Sequence, residues 1–156
     1  MFTNYFKGIF LFSFCLLLFS MSGKAQSLSG SIAKGSIARG KSAKGVLILS
    51  IPDGLHINTN RPNSPYAIPT TVKLIARGVK INGPVFPRGK TRPFQFSRDS
   101  INVYEGKVRF PFMITVPAGF RGDAVNVRAV VRYQACTDEV CYPPRTTEIT
   151  ISARVK

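Results

Sequence analysis

Two cysteines separated by four residues stand in Tyr133–Pro144, "YQACTDEVCYPP", between a valine-rich run and a Pro-Pro stop. Thiols this close can ligate a metal, act as nucleophiles, close a disulfide or exchange electrons. A metal site needs about four ligands. Beyond Cys136 and Cys141 the chain offers Cys15 and a single histidine, His56, both distant in sequence, so no metal and no cofactor are expected. Hydrolysis by a Cys/His pair needs a third group to orient the base, and none is identifiable. His56, in "GLHIN" at the start of an apparent strand, reads as a packed or surface residue.

A disulfide between Cys136 and Cys141 fits the residues better than a metal. An immunoglobulin-type bridge across a core joins separated strands against a tryptophan, and this chain has no tryptophan. Strand parity places Val125, Val127, Ala129, Val131 and Tyr133 on one face and leaves Cys136 on the other, with Asn126, Arg128, Arg132 and Gln134. Without a bulge, Cys136 then faces away from the main core. With "TDEV" as a hairpin connection, the two cysteines become cross-strand neighbours about 4.5 to 5.5 Å apart at Cα, close enough to bond. So small a ring stabilises by only about 2 kcal/mol, and a bridge at a hairpin tip is open to thiolate attack. Asp138 and Glu139 oppose a thiolate in the loop, and Arg132 and Arg145 are the expected offsetting charges. On chemistry alone, a local staple and a redox pair both remain open.

The elements that must position this pair begin after an export signal. Residues 1–25 have a basic start at Lys7, an apolar core over Gly8–Met21 and small residues at Gly23 and Ala25, predicting cleavage before Gln26. Cys15, inside the apolar core, makes a poor lipoprotein site. Cleavage leaves 131 of the 156 residues, enough for one domain, with no stable membrane insertion afterwards and an oxidising compartment, the periplasm, for the cysteines. Removing Lys7 and Lys24 from the 22 basic residues leaves 20 against 7 acidic ones, a formal +13. The basic residues are scattered and carry no nucleic-acid motif, so a solvated basic surface is expected and no nucleic acid partner.

Residues 26–41 carry part of a degenerate repeat, "GSIAK GSIAR GKSAK G", read as a basic Gly/Ser-rich linker or first strand. From Ser42 the hydrophobic period is two. Val108, Phe110, Phe112, Ile114 and Val116 fall on one face of "KVRFPFMITV", and segments 46–51, 71–76, 124–135 and 147–155 behave alike. Turn residues separate them at Pro52, Arg61, Asn82, Pro87 and Pro117. The pattern predicts an all-β domain over 42–156, an immunoglobulin-like antiparallel β-sandwich.

The motif "YQACTDEVCYPP" resembles that of the N-terminal periplasmic domain of the DsbD thiol:disulfide interchange proteins. "IPDGLHINTNRPNSPYAIPTTVKL" and "VFPRGKTRPFQFSRDSINVYEGKVRFPF" are similar to two further segments of that family, so the resemblance spans roughly Ser42 to Val155. It implies that Cys136 and Cys141 accept and pass electrons, Cys141 forming mixed disulfides with thioredoxin-like periplasmic partners and Cys136 resolving them. It also implies a cap loop whose aromatic residue shields the pair, matched here by Phe96 or Phe94. Leu55 stands where the family usually has tryptophan. With no membrane core or thioredoxin-like domain before Lys156, a separate membrane electron transporter is an expected partner. The rival expectation is a non-catalytic immunoglobulin-like binding module with a structural hairpin disulfide.

Overall fold

The computed structural model describes residues 26–156; the expected signal segment, 1–25, lies outside the described residues. Twelve strands are formed in that range: β1 (Ser27–Ile32), β2 (Ser36–Ile37), β3 (Ser42–Ser50), β4 (His56–Asn58), β5 (Thr71–Ile75), β6 (Lys80–Asn82), β7 (Lys90–Arg92), β8 (Ile101–Tyr104), β9 (Lys107–Thr115), β10 (Ala124–Tyr133), β11 (Ala135–Cys136) and β12 (Arg145–Val155). They make three four-stranded sheets, ordered β1-β3-β9-β6, β2-β12-β10-β5 and β11-β4-β8-β7. All pairings are antiparallel except β2 with β12. The architecture is all-β and consistent with an immunoglobulin-like sandwich.

The first two sheets form the sandwich, and alternation explains why. In β9 the side chains of Val108, Phe110, Phe112 and Ile114 are buried, and Lys107 and Arg109 point outward. In β10 Val125, Val127, Ala129, Val131 and Tyr133 are buried. Leu47 and Leu49 of β3 and Ile151, Ala153 and Val155 of β12 join them in one continuous core. A one-residue slip in either long pair would turn every one of these side chains to solvent, so burial fixes the register. Gly45 of β3 lies under the Phe112 ring, which occupies the space a Cβ would need.

The repeat at Gly30–Gly45 runs through β1, a turn, β2 and the start of β3. Its five-residue spacing sets Ile32 and Ile37 in equivalent positions, and both are buried. β1 pairs along β3 from Ser27↔Ser50 to Ile32↔Gly45, so residues 27–32 are part of the first sheet.

The third sheet is small and carries a satellite core of Phe94, Ile101 and Val103. β10 stops at Tyr133, and after Gln134 the chain re-pairs as β11 with β4, through Ala135↔Ile57 and Cys136↔His56. A single residue thereby moves the cysteine segment from one sheet to another. The loop between β4 and β5 is tied down by Thr70 Oγ1 donating to the Asn58 carbonyl and by Asn58 Nδ2 donating to that of Ile68. Asn63 links the same loop to the β8 side, donating to the Ser100 carbonyl and accepting from the Asn102 amide.

Candidate functional site

Cys136 and Cys141 are joined in a disulfide with their Cα atoms 4.0 Å apart, somewhat closer than the expected cross-strand distance. The hairpin backbone explains the approach. The Thr137 amide donates to the Val140 carbonyl and the Tyr142 amide to that of Ala135, both at 2.8 Å. These bonds bracket the cysteines, which occupy a non-hydrogen-bonded antiparallel pair, the position where facing side chains come closest. Thr137 Oγ1 accepts from the amides of Glu139 and Val140 and so closes the tip, and Gln134 Nε2 donates to the Tyr142 carbonyl.

The two sulfurs have unequal surroundings. Cys136 is 0% exposed, and Cys141 is exposed. The expectation that Cys136 would share the outer face of Arg128 and Arg132 is corrected here. The break at Gln134 ends the parity count, and pairing with β4 buries Cys136 outside the main core.

The register aligns Cys141, Cys136 and His56 across neighbouring strands. Partners directly opposite in an antiparallel pair project from the same face. His56, 2% exposed, stacks on Phe94 with ring centroids 4.3 Å apart, and Phe94 stacks on Phe96 at 5.2 Å. Of the two aromatic residues expected in a cap, Phe94 is buried in the satellite core, whereas Phe96 is 44% exposed. A cavity of about 500 Å³ lies between the β7–β8 loop and the β4–β5 loop; Cys141, Phe96, Tyr66, Asn58, Gln134 and Ile101 line it. Exposed Val140 and Tyr142 flank Cys141 in sequence, extending the apolar surface.

The charges differ from expectation as well. Asp138 is engaged by Arg92, at 3.2 Å, and not by Arg132 or Arg145. Arg92 also pairs with Glu105, which Lys90 holds at 3.0 Å, and its guanidinium lies 5.2 Å from the Phe94 ring centroid. The hydrogen bond from Lys90, followed by that from Arg92, holds the Glu105 carboxyl below its ordinary pKa. Burial, with Arg92 second, lowers the His56 pKa, against smaller opposing effects of Asp138 and Glu105. His56, Arg92, Glu105 and Asp138 line a second cleft, of about 290 Å³.

Sequence reasoning singled out both cysteines and both phenylalanines and gave His56 and Arg92 no part in the site. The strand-like "GLHIN" was the only available signal for His56; its position opposite Cys136 is a matter of long-range register. Among the described residues no group of three or more His, Cys, Asp or Glu side chains is placed to hold a metal ion. The arrangement suits thiol–disulfide exchange, with one cysteine exposed and its partner buried.

Comparison with known proteins bears on the family and the fold. The family model described as "Thiol:disulfide interchange protein DsbD, N-terminal" matches residues 26–153. Among solved structures, the N-terminal periplasmic domain of ScsB from Proteus mirabilis superposes with a TM-score of 0.53 at 12% identity, over 83% of this chain and 46% of that one. The chain thus spans about half the length of that structure, and the likeness is one of fold. A family 123 glycoside hydrolase from Clostridium perfringens reaches a TM-score of only 0.34 at 10% identity, over 81% of this chain and 27% of that one, and carries no argument. A search of curated proteins finds no significant match.

Proposed function

The chain belongs to the family of N-terminal domains of the thiol:disulfide interchange protein DsbD, and we propose that it exchanges electrons with thioredoxin-like periplasmic proteins through Cys136 and Cys141. The observation that carries this reading is the asymmetry of the pair. Cys141 is exposed and borders a cavity of about 500 Å³, and Cys136 is fully buried beside it. Cys141 is therefore the interchange nucleophile. In the reduced domain its thiolate attacks one sulfur of a partner disulfide, forming a mixed disulfide and releasing the partner's other sulfur as a thiolate. Cys136 then attacks Cys141 Sγ, closing the internal disulfide and freeing the partner as a dithiol; two electrons move from domain to partner, and the reverse sequence reloads the domain. Phe96, over the cavity, is the shielding residue of a cap loop spanning residues 93–100, with Phe94 as its anchor. In the periplasm a separate membrane electron transporter is the natural source of electrons.

Single-cysteine variants test the roles. Cys136→Ala removes the resolving thiol and should accumulate a mixed disulfide through Cys141 when offered periplasmic extract, visible on non-reducing gels and identifiable by mass spectrometry. Cys141→Ala leaves only a buried thiol and should trap little. Equal trapping by both would remove the assigned roles, and no trapping by either would favour a binding module with a structural bridge.

A further inference from the structure

We infer that His56 is a catalytic residue of the exchange, the base that takes the proton of the Cys136 thiol as it resolves a mixed disulfide on Cys141. This inference rests on the exchange reading above and adds a chemical group to it. Cys136 and His56 are direct antiparallel partners on β11 and β4, so their side chains leave one face of the sheet with Cβ atoms about 4.5 to 5.5 Å apart. Both are buried, Cys136 at 0% and His56 at 2% exposure. A thiol in that position has no bulk water to receive its proton, and the thiolate is the nucleophile. The imidazole is the titratable group set directly beside it.

Three further features fit the role. Stacking on Phe94 at 4.3 Å fixes the plane of the imidazole. Among the described residues no side-chain hydrogen bond engages its ring, so the one unprotonated nitrogen of the neutral imidazole is the acceptor. His56 also lines a cleft with Arg92, Glu105 and Asp138, which gives a proton on the ring a polar exit. The charges facing His56 are those three: Arg92 disfavours the imidazolium, and Glu105 and Asp138 favour it. Arg92 pairs with both carboxylates and Lys90 with one of them, which blunts their pull. Burial and Arg92 leave the imidazole below its ordinary pKa of 6.5, hence a free base at neutral pH.

In the step itself, the Cys136 S–H bond breaks and the proton passes to the imidazole. The sulfur's electron pair forms the bond to Cys141 Sγ. The bond from Cys141 to the partner sulfur breaks, its pair leaves with the partner as a thiolate, and the imidazolium returns its proton to that thiolate or to solvent through the cleft. Running backwards, the imidazolium reprotonates Cys136 as a partner thiolate opens the disulfide.

Stopped-flow reaction of the reduced protein with excess dithiobis(nitrobenzoate) separates the two steps. The first coloured thiolate reports attack by Cys141, and the second reports resolution by Cys136. For His56→Gln we expect the first phase within about two-fold of wild type and the second slowed by about a hundred-fold or more at pH 7, the order of a general-base contribution. The gap should narrow toward pH 9, where hydroxide competes with the imidazole for the thiol proton. An unchanged second phase at every pH would overturn the assignment of His56 and leave the exchange reading intact. Absence of a second release in wild type would overturn both. Should His56→Gln fail to fold, the wild-type profile decides. A second-phase rate that holds from pH 8 through 6.5 and falls only at lower pH supports the base, and a ten-fold fall per pH unit from pH 8 downward contradicts it.

Discussion

At the scale of single residues, the cysteines were legible because a short Cys-x4-Cys spacing restricts the possible chemistry, whereas their unequal environments were not. Burial of Cys136 depends on one departure from strand parity, at Gln134, and alternation alone has no means of placing it. His56 carried even less signal, since its relation to Cys136 exists only once β4 and β11 pair. Its titration has a consequence for stability. The folded state depresses the His56 pKa, so the unfolded chain binds a proton more readily as pH falls. The associated stability is complete above the ordinary value of 6.5 and is lost as pH falls from there through the folded pKa. Thermal melts between pH 7.5 and 5.5 should therefore show a falling midpoint in wild type and a flatter dependence in His56→Gln. Equal slopes for the two proteins would mean that the buried imidazole is not the group responsible.

At the scale of elements, the long strands β3, β9, β10 and β12 follow directly from a period-two apolar pattern over nine to eleven residues. The three-residue strands β6 and β7 and the four-residue β8 do not, because so few residues cannot establish a period; long-range pairing creates them. Yet β7 and β8 carry the loop over the cysteines. Within that loop the two phenylalanines divide the work. Phe94 is 6% exposed and packs with Ile101 and Val103, so Phe94→Ala should cost about 3 kcal/mol in denaturant unfolding. Phe96 is largely outside any core, so Phe96→Ala should cost under about 1 kcal/mol. The same change opens the cavity beside Cys141, and reduction of the disulfide by dithiothreitol should accelerate several-fold. Unaltered reduction kinetics in Phe96→Ala would mean that the loop does not shield the sulfur.

For the whole molecule, the sandwich core and the disulfide are separable. The core is built from Leu47, Leu49, Phe110, Ile114, Val127, Val131 and their neighbours, each fully buried side chain contributing about 1.5 to 3 kcal/mol. The ring closed by Cys136 and Cys141 spans a sequence separation of 5 and contributes only about 2 kcal/mol. Reduced protein should accordingly unfold in a single cooperative transition at a modestly lower temperature, and loss of cooperativity on reduction would identify the bridge as a staple. The fold class was legible because the core is a property of many residues read together. A redox role is different, since it depends on how readily one particular bond opens. Equilibration of the protein with glutathione mixtures of defined ratio, read by the fraction of Cys136–Cys141 disulfide, measures that property directly. An interchange domain requires a reduction potential above about −300 mV, within reach of thioredoxin-like partners; a bridge that stays closed to potentials well below that value would contradict electron exchange and leave a structural hairpin disulfide.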